Sequence, residues 1–358
     1  MIRADIAQLS AYHVQAATGM VKLDAMENPY DLPADVPPAM QAALAAVALN
    51  RYPSPAADAL KQGLREAMGI GVEHDIMLGN GSDEIIQIIA TACASLKTGE
   101  PATMLSVEPA FVMFKMIALY AKMQYVGVPL QQDFSMDVPA TLQAIESHRP
   151  AVTFIAYPNN PTGNLFADAD LHAIIEATNK IGGLVVIDEA YFAFSSRTYL
   201  GEIGRYANVV LMRTVSKLGL AGLRLGMLIG APRWLNEFEK VRLPYNINVY
   251  TQAAGLVACK YYASFTAQAA LIARDRQLFA VALAAIKDVT VFASEANFLL
   301  VRVPDSTALF NHLVSCKILV KHTSAGHPLM GNTLRITVGS PAENAQVVAA
   351  ITAFLVKV

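Results

Sequence analysis

Asp188 closes the apolar run GLVVID, and Tyr191 follows three residues later in DEAYF. Lys217 lies in LMRTVSKLGLAGLRLG, flanked by Thr214, Ser216, Leu218, Gly219 and Leu220. Most lysines are solvated, but one in so apolar a run is desolvated, which lowers its pKa toward that of a useful amine nucleophile. Thr214, Ser216 and Arg224 place two hydroxyls and a guanidinium in one short loop, a set suited to a phosphate. Gly79, Asn80, Gly81 and Ser82 form a Gly-rich loop leading into a helix that begins near Asp83. Such a turn is a ready anion site, although capping by Ser82 or Asp83 is the commoner use of these residues. Asn160 sits in YPNNPTG and Phe111 in EPAF. Taken singly, each has an ordinary structural use: a strand-end carboxylate, a turn amide, a core phenylalanine, a half-buried tyrosine.

The elements that must position these residues change the weighing. Short apolar runs recur at PATMLSV (101–107), AVTFIAY (151–157), GLVVID (183–188), NVVLMR (208–213) and LRLGMLIG (223–230). Helical stretches follow the first two, one reaching about Met123 and one near 168–180. Apolar strands alternating with helices predict a parallel sheet covered on both faces. In such a sheet, ligands bind beyond the carboxyl ends of the strands. Phe111, Asn160, Asp188 and Lys217 each follow or end one of these runs, so they converge on one crevice. A carboxylate for a cationic ring nitrogen, donors for a phenolate, an amine for an aldehyde and a helix N-terminus for a phosphate together describe pyridoxal phosphate.

Elsewhere, residues 1–35 read as irregular, with Pro29 and Pro33 against a helix. Helices are expected over 36–49 and 56–68, a buried helix over 85–96, and a long helical region over 251–286. The tail shows two strands, NFLLVRV and LRITVGS, and a terminal helix. We therefore expect a three-layer αβα large domain with a mostly parallel sheet and a smaller α+β domain. The expected division is 1–45 joining the small domain, 46–250 as the large domain, and 251–358 as linking helix and small domain.

Composition bounds the partners. The chain has 358 residues, 54% hydrophobic and 16% charged, with a formal net charge of −2. That excludes a disordered chain and argues against a nucleic-acid binder, which carries a basic excess. The longest charge-free stretch, 243–259, contains Pro244, Asn246 and Asn248 and is a poor membrane span. Three scattered cysteines and no metal-ligand spacing fit a reducing, cytoplasmic setting. The N-terminus lacks the apolar core of a signal peptide.

YPNNPTG, DEAYF and TVSKLGLAGLRLG occur in the signature order of fold-type I, pyridoxal-phosphate-dependent aminotransferases, which the chain resembles. With KLDAMENPYDLP, RYPSP, LGNGSDE and LRITVGSPAENAQ, the resemblance is finest to the histidinol-phosphate aminotransferases and runs from about residue 10 to the end. It implies that Lys217 bonds the cofactor and moves the proton, and that Asp188 holds the ring nitrogen. It further implies that Asn160 and Tyr191 bind the ring oxygen and that Phe111 stacks on the ring. Gly81, Ser82, Asp83, Thr214, Ser216 and Arg224 would surround the phosphate. Tyr52 would reach the cofactor phosphate of a partner subunit in a homodimer, while Tyr12, Asn28, Arg335 and Lys321 would contact substrate. Two positions depart from the family pattern: Lys321 stands where many members have arginine, and Met26 stands at a usually polar position. Lysine is a point charge and not a bidentate fork, so anion recognition differs there.

The activity implied is transamination of histidinol phosphate with 2-oxoglutarate, by small-molecule exchange and without nucleic acid or membrane. The alternatives are an aromatic or broad-range aminotransferase, or a phosphothreonine-type decarboxylase. A cofactor-sensing regulator would need a DNA-binding segment ahead of the matching part, which begins within the first dozen residues.

Overall fold

The computed structural model describes residues 1–9, 15–96 and 98–356. Its strands are β1 (Val21–Leu23), β2 (Asp75–Asn80), β3 (Thr103–Glu108), β4 (Gln124–Pro129), β5 (Val152–Ala156), β6 (Leu184–Asp188), β7 (Val209–Thr214), β8 (Leu225–Gly230), β9 (Thr290–Val291), β10 (Phe298–Arg302), β11 (Ile318–His322) and β12 (Thr333–Thr337). They form two sheets. The larger has seven strands in the order β2-β8-β7-β6-β5-β3-β4, and the smaller has five in the order β1-β11-β12-β10-β9.

Every residue of β5, β6 and β7 is buried, as expected of strands covered on both faces. Alternate side chains serve opposite layers. Val210 and Met212 join one apolar cluster with the helix Ser82–Ala92, whereas Val209 and Leu211 join the other with the helix Asp168–Lys180. The parallel registers β3–β4, β3–β5, β5–β6 and β6–β7 bear out the parallel-sheet expectation.

LRLGMLIG departs from it. β8 is antiparallel to both β7 and β2. A parallel return needs a crossover of a dozen or more residues. Here the chain turns back between Thr214 and Leu225 through two short 3-10 turns, with Gly219 and Arg224 at positive φ. LGNGSDE is likewise no simple loop: Gly79 and Asn80 end β2, and the helix starts at Ser82. Gly226 of β8 lets these segments touch, since a Cβ there would lie 2.7 Å from the Gly81 backbone.

The N-terminal segment is not wholly irregular. β1 pairs in parallel with β11, so residues 21–23 complete the smaller sheet. The tail contributes four strands rather than two, because β9 and β11 are too short or too mixed to stand out. β4 and the helix Val138–His148 carried no distinct signal either. The expected helices are present with shifted ends, at Val36–Ala45, Asp58–Met68, Val249–Lys260 and Tyr262–Ala284. The terminal helix Pro341–Leu355 begins on a capping box between Ser340 and Glu343. Among the described residues, no helix is long and apolar enough to cross a membrane.

Candidate active site

The carboxyl ends of β5, β6 and β7 open into a cavity of about 250 Å³. Asp188, the last residue of β6, and Thr214, the last of β7, both face it. Lys217 lies three residues beyond Thr214 in the first 3-10 turn and lines the same space. Phe111, Asn160, Tyr191, Ser82, Asp83, Ser216 and Arg224 line it too. Residues separated by more than a hundred positions are thus gathered by strand order alone.

Two ionisable groups on this wall are far from their ordinary behaviour. Burial pushes the Asp188 carboxyl up to about 7, against one backbone hydrogen bond from Ala190 at 3.0 Å that favours its anion. Burial brings the Lys217 ammonium down to about 8, aided by the charge of Arg335. Lys217 Nζ donates to the Ala25 carbonyl at 3.1 Å. Burial also raises the Tyr191 hydroxyl, keeping it a neutral donor.

The opposite end of the cavity is built for an anion. The Thr214 and Ser216 hydroxyls lie 2.8 Å apart, and the Ser216 amide donates to Thr214 Oγ1 at 3.1 Å. Arg224 lies 3.7 Å from Asp83 across the helix start, with both side chains about half exposed. Gly81, at φ 82°, is pressed against it: a Cβ there would stand 2.7 Å from Arg224 Nη2. Only glycine fits this backbone and this approach.

A chain of polar contacts joins the two sheets. Asn160 Nδ2 donates to the Tyr191 hydroxyl at 3.1 Å. Arg335 Nη1 donates to Asn160 Oδ1 at 2.6 Å, and its Nη2 to the Asp24 carbonyl at 2.9 Å. The guanidinium lies over the Phe298 ring, whose edge also meets Tyr191. Arg335 and Lys321 are cross-strand neighbours on β12 and β11. Both line a second chamber of about 350 Å³, which shares Ala25 and Met26 with the first cavity.

Two of the expected residues lie elsewhere, and a third falls outside the described residues. Asn28 does not line the cavity; its amide donates to the Leu218 carbonyl at 3.3 Å and so braces the Lys217 loop. Tyr52 is 81% exposed and stacks on Tyr245, outside this chain's own cavity. Tyr12 lies outside the described residues. Conversely, Ala25, Met26 and Glu27 form part of the wall; of these the sequence reading had singled out only Met26, as a departure from the family pattern. Met26 has a positive φ of 52° and is pinned by the Thr337 hydroxyl and the Asn297 amide. The signal available was the DAMEN stretch itself. Nothing in the sequence marked Phe298, the apolar first residue of β10.

The donor set fits pyridoxal phosphate. A buried carboxylate, a buried amine of lowered pKa, two hydroxyl donors and a glycine-opened phosphate end converge on one cavity. Among the described residues, no three or more His, Cys, Asp or Glu side chains are grouped so as to hold a metal ion.

The comparisons with known proteins agree with this chemistry. The chain is 50% identical over 351 residues to histidinol-phosphate aminotransferase 1 of Burkholderia lata, covering 98% of this chain and 97% of that protein. It is 50% identical over 356 residues to histidinol-phosphate aminotransferase of Chromobacterium violaceum, covering 99% and 98%. In fold it resembles histidinol-phosphate aminotransferase from Sinorhizobium meliloti, crystallised with pyridoxal-5'-phosphate, at a TM-score of 0.87 and 22% identity over 99% of this chain and 98% of that one. The aminotransferase class I and II profile matches residues 18–351, and the chain belongs to that family.

Proposed function

We propose that the protein transfers the amino group of L-histidinol phosphate to 2-oxoglutarate, using pyridoxal phosphate and giving imidazole-acetol phosphate and L-glutamate. The observation that carries the chemistry is that Lys217 and Asp188 share one buried cavity whose far end holds Thr214, Ser216 and Arg224. The substrate pair rests on the full-length likeness to the two relatives named above.

When bound, the cofactor supplies an electron sink that makes the proton on the substrate carbon acidic. Lys217 would hold the cofactor through Nζ, and as the free amine, when the substrate's amine has taken its place, the same atom would take up and return that proton. Its lowered pKa leaves a useful neutral fraction near neutral pH. Asp188 would keep the ring nitrogen protonated by offering it a carboxylate in a dry site. Asn160 and Tyr191 would donate to the ring oxygen, and Phe111 would stack on the ring. Gly81, Ser82, Asp83, Thr214, Ser216 and Arg224 would hold the phosphate.

Arg335 serves as the anion anchor for both substrates, since its planar fork donates to paired oxygens. Lys321 is the second cation of the outer chamber; Tyr12 would contact substrate, and Asn28 would act on it through the Lys217 loop that it braces. Tyr52 serves the cofactor phosphate of the other subunit of a homodimer, which is why it projects 81% exposed from its own chain. Residues 1–45 are assigned to the small domain, 46–250 to the large domain, and 251–358 to the linking helix and small domain. The three unpaired cysteines support a cytoplasmic setting.

A panel assay tests this reading. Pure protein, pyridoxal phosphate and L-glutamate are mixed with keto acceptors including imidazole-acetol phosphate, and 2-oxoglutarate is quantified. Imidazole-acetol phosphate should be the best acceptor. Preference for an aromatic keto acid would favour the broad-range alternative, and carbon dioxide release from L-threonine O-3-phosphate, supplied in a separate sample with no keto acceptor, would favour decarboxylation.

A further inference from the structure

Strand geometry sends consecutive side chains to opposite faces. Asp188 and Thr214 face the cavity, so their neighbours Glu189 and Arg213 face away from it. These two side chains meet behind the β6–β7 ends. Arg213 Nε donates to Glu189 Oε2 at 2.9 Å, and Nη2 lies 2.9 Å from the same oxygen. Their side chains are 4% and 0% exposed. The pair is closed by other contacts. Glu189 accepts from the Tyr199 amide at 2.6 Å and the Thr198 hydroxyl at 3.0 Å. Arg213 Nη2 donates to Thr198 Oγ1 at 2.8 Å, and the guanidinium lies over Phe192, 4.3 Å from the ring centre. The Glu189 amide donates to the Met212 carbonyl at 2.8 Å, so backbone and side chains lock the same two strand ends. Neither residue lines the cavity.

We infer that the Glu189–Arg213 pair is a positioning clamp that sets the separation of Asp188 from the Thr214–Lys217 segment and thereby the affinity and electrostatics of the cofactor site. A buried pair of this kind is weak evidence for stability, because well-packed apolar residues often replace one without loss. Its charges span the two loops whose residues hold opposite ends of one ligand. One link ties Glu189 to Asp188, and the other ties Arg213 to Thr214, each by a single peptide bond. A small rotation of either strand end therefore moves the ring-nitrogen carboxylate relative to the phosphate hydroxyls. The inference rests on the cofactor reading above.

The test uses purified wild-type protein, Arg213→Lys, Glu189→Gln, the double variant Glu189→Gln/Arg213→Met, and the surface control Glu202→Gln. Glu202 pairs with Arg205 in an exposed contact of 3.4 Å. Three quantities are read: melting temperature, pyridoxal-phosphate Kd, and the pH midpoint of the visible absorption band of the loaded protein. That midpoint reports the Lys217 nitrogen bonded to the cofactor; in the free chain the charges around this nitrogen are Asp83, Glu27, Arg224 and Arg335 as well as Asp188. A wild-type protein that binds no pyridoxal phosphate would refute the cofactor reading and not the clamp alone. With binding established, Arg213→Lys should weaken Kd at least about tenfold and shift the midpoint by about half a pH unit or more. The double variant should recover most of the melting temperature lost in Glu189→Gln while its Kd and midpoint stay displaced. Glu202→Gln should change none of the three. Wild-type Kd and midpoint in Arg213→Lys would overturn the inference, whether or not Glu189→Gln folds. So would a double variant that regains both.

Discussion

The two faces of the β6–β7 strand pair handle charge in opposite ways. Behind it, Glu189 and Arg213 are both buried, each hydrogen-bonded and each facing its counter-charge. On the cavity side, Asp188 and Lys217 are buried with little to offset them, and burial drives the carboxyl up and the ammonium down. One face is balanced by a direct ion pair; on the other, Asp188 accepts from the Ala190 amide and Lys217 donates to the Ala25 carbonyl, and burial still shifts both. Desolvated charges cost stability, and groups so perturbed cluster at functional sites. The contrast separates a structural ion pair from chemistry held in readiness, although both arise from adjacent residues of the same two strands.

The sharpest way to break the comparison is to remove the cavity-side amine. Lys217→Ala should lower kcat by at least about a thousandfold, since both cofactor attachment and proton transfer are lost. Equilibrium dialysis should still detect pyridoxal phosphate bound to that variant, because the ring and phosphate contacts remain.

Arg335→Ala comes next. Losing a charge-assisted anchor inside a dry site should cost about 2–5 kcal/mol, roughly 30-fold to several thousandfold in kcat/KM. Stopped-flow traces of each half-reaction should show the loss in both, and Arg335→Lys should restore only part. An intact glutamate half-reaction would place the acid elsewhere. The hydrogen bond from Arg335 to Asn160 adds a consequence absent from the sequence reading: Asn160→Ala should also weaken the anchor, though less.

Asp188→Asn sharpens the contrast through stability. In the cofactor-free chain the folded carboxyl titrates near 7 instead of 3.8, so folding favours its neutral form. Well below pH 4 the carboxyl is neutral in both states and carries no penalty. Between about pH 4 and 7 the unfolded chain has released this proton while the folded chain still holds it, so stability falls across that window and levels off above 7. The neutral amide of the variant avoids that loss, so thermal melts of the cofactor-free variant should show a gain of about 2–4 kcal/mol at pH 8 that disappears near pH 4. Activity should fall at every pH. A variant less stable than wild type at pH 8 would mean that the carboxylate already has a counter-charge within the chain.

The smallest effect is expected at Lys321. Lys321→Ala should cost less than Arg335→Ala, and Lys321→Arg should favour the phosphate-bearing substrate by a few-fold in kcat/KM. No change in either variant would remove Lys321 from substrate recognition.

Much of the cavity wall was legible in the sequence because its residues end or follow apolar runs, and parallel strands deliver their ends to one place. Asp188, Thr214 and Lys217 share three short, strongly patterned segments, and the structure brings all three to one cavity. The direction of β8 was less legible. Its composition matches its parallel neighbours, and only the shortness of the 215–224 connection betrays the reversal. The opposite wall was harder still. Residues 24–27 reach the site because β1 adds to a sheet made from the far end of the chain, with β1 paired to β11 across about three hundred residues. Three residues of strand give almost no periodicity to read. Glu189 and Arg213 were hidden for another reason: a charge beside a motif looks like a solvated loop charge until strand alternation turns it inward.

Borohydride reduction of the yellow, loaded protein, followed by peptide mapping, tests directly whether Lys217 holds the cofactor. The modification should fall on the peptide containing TVSKLGLAGLR, at Lys217, and be absent from Lys217→Ala. Label on any other lysine, or the same label in Lys217→Ala, would contradict it.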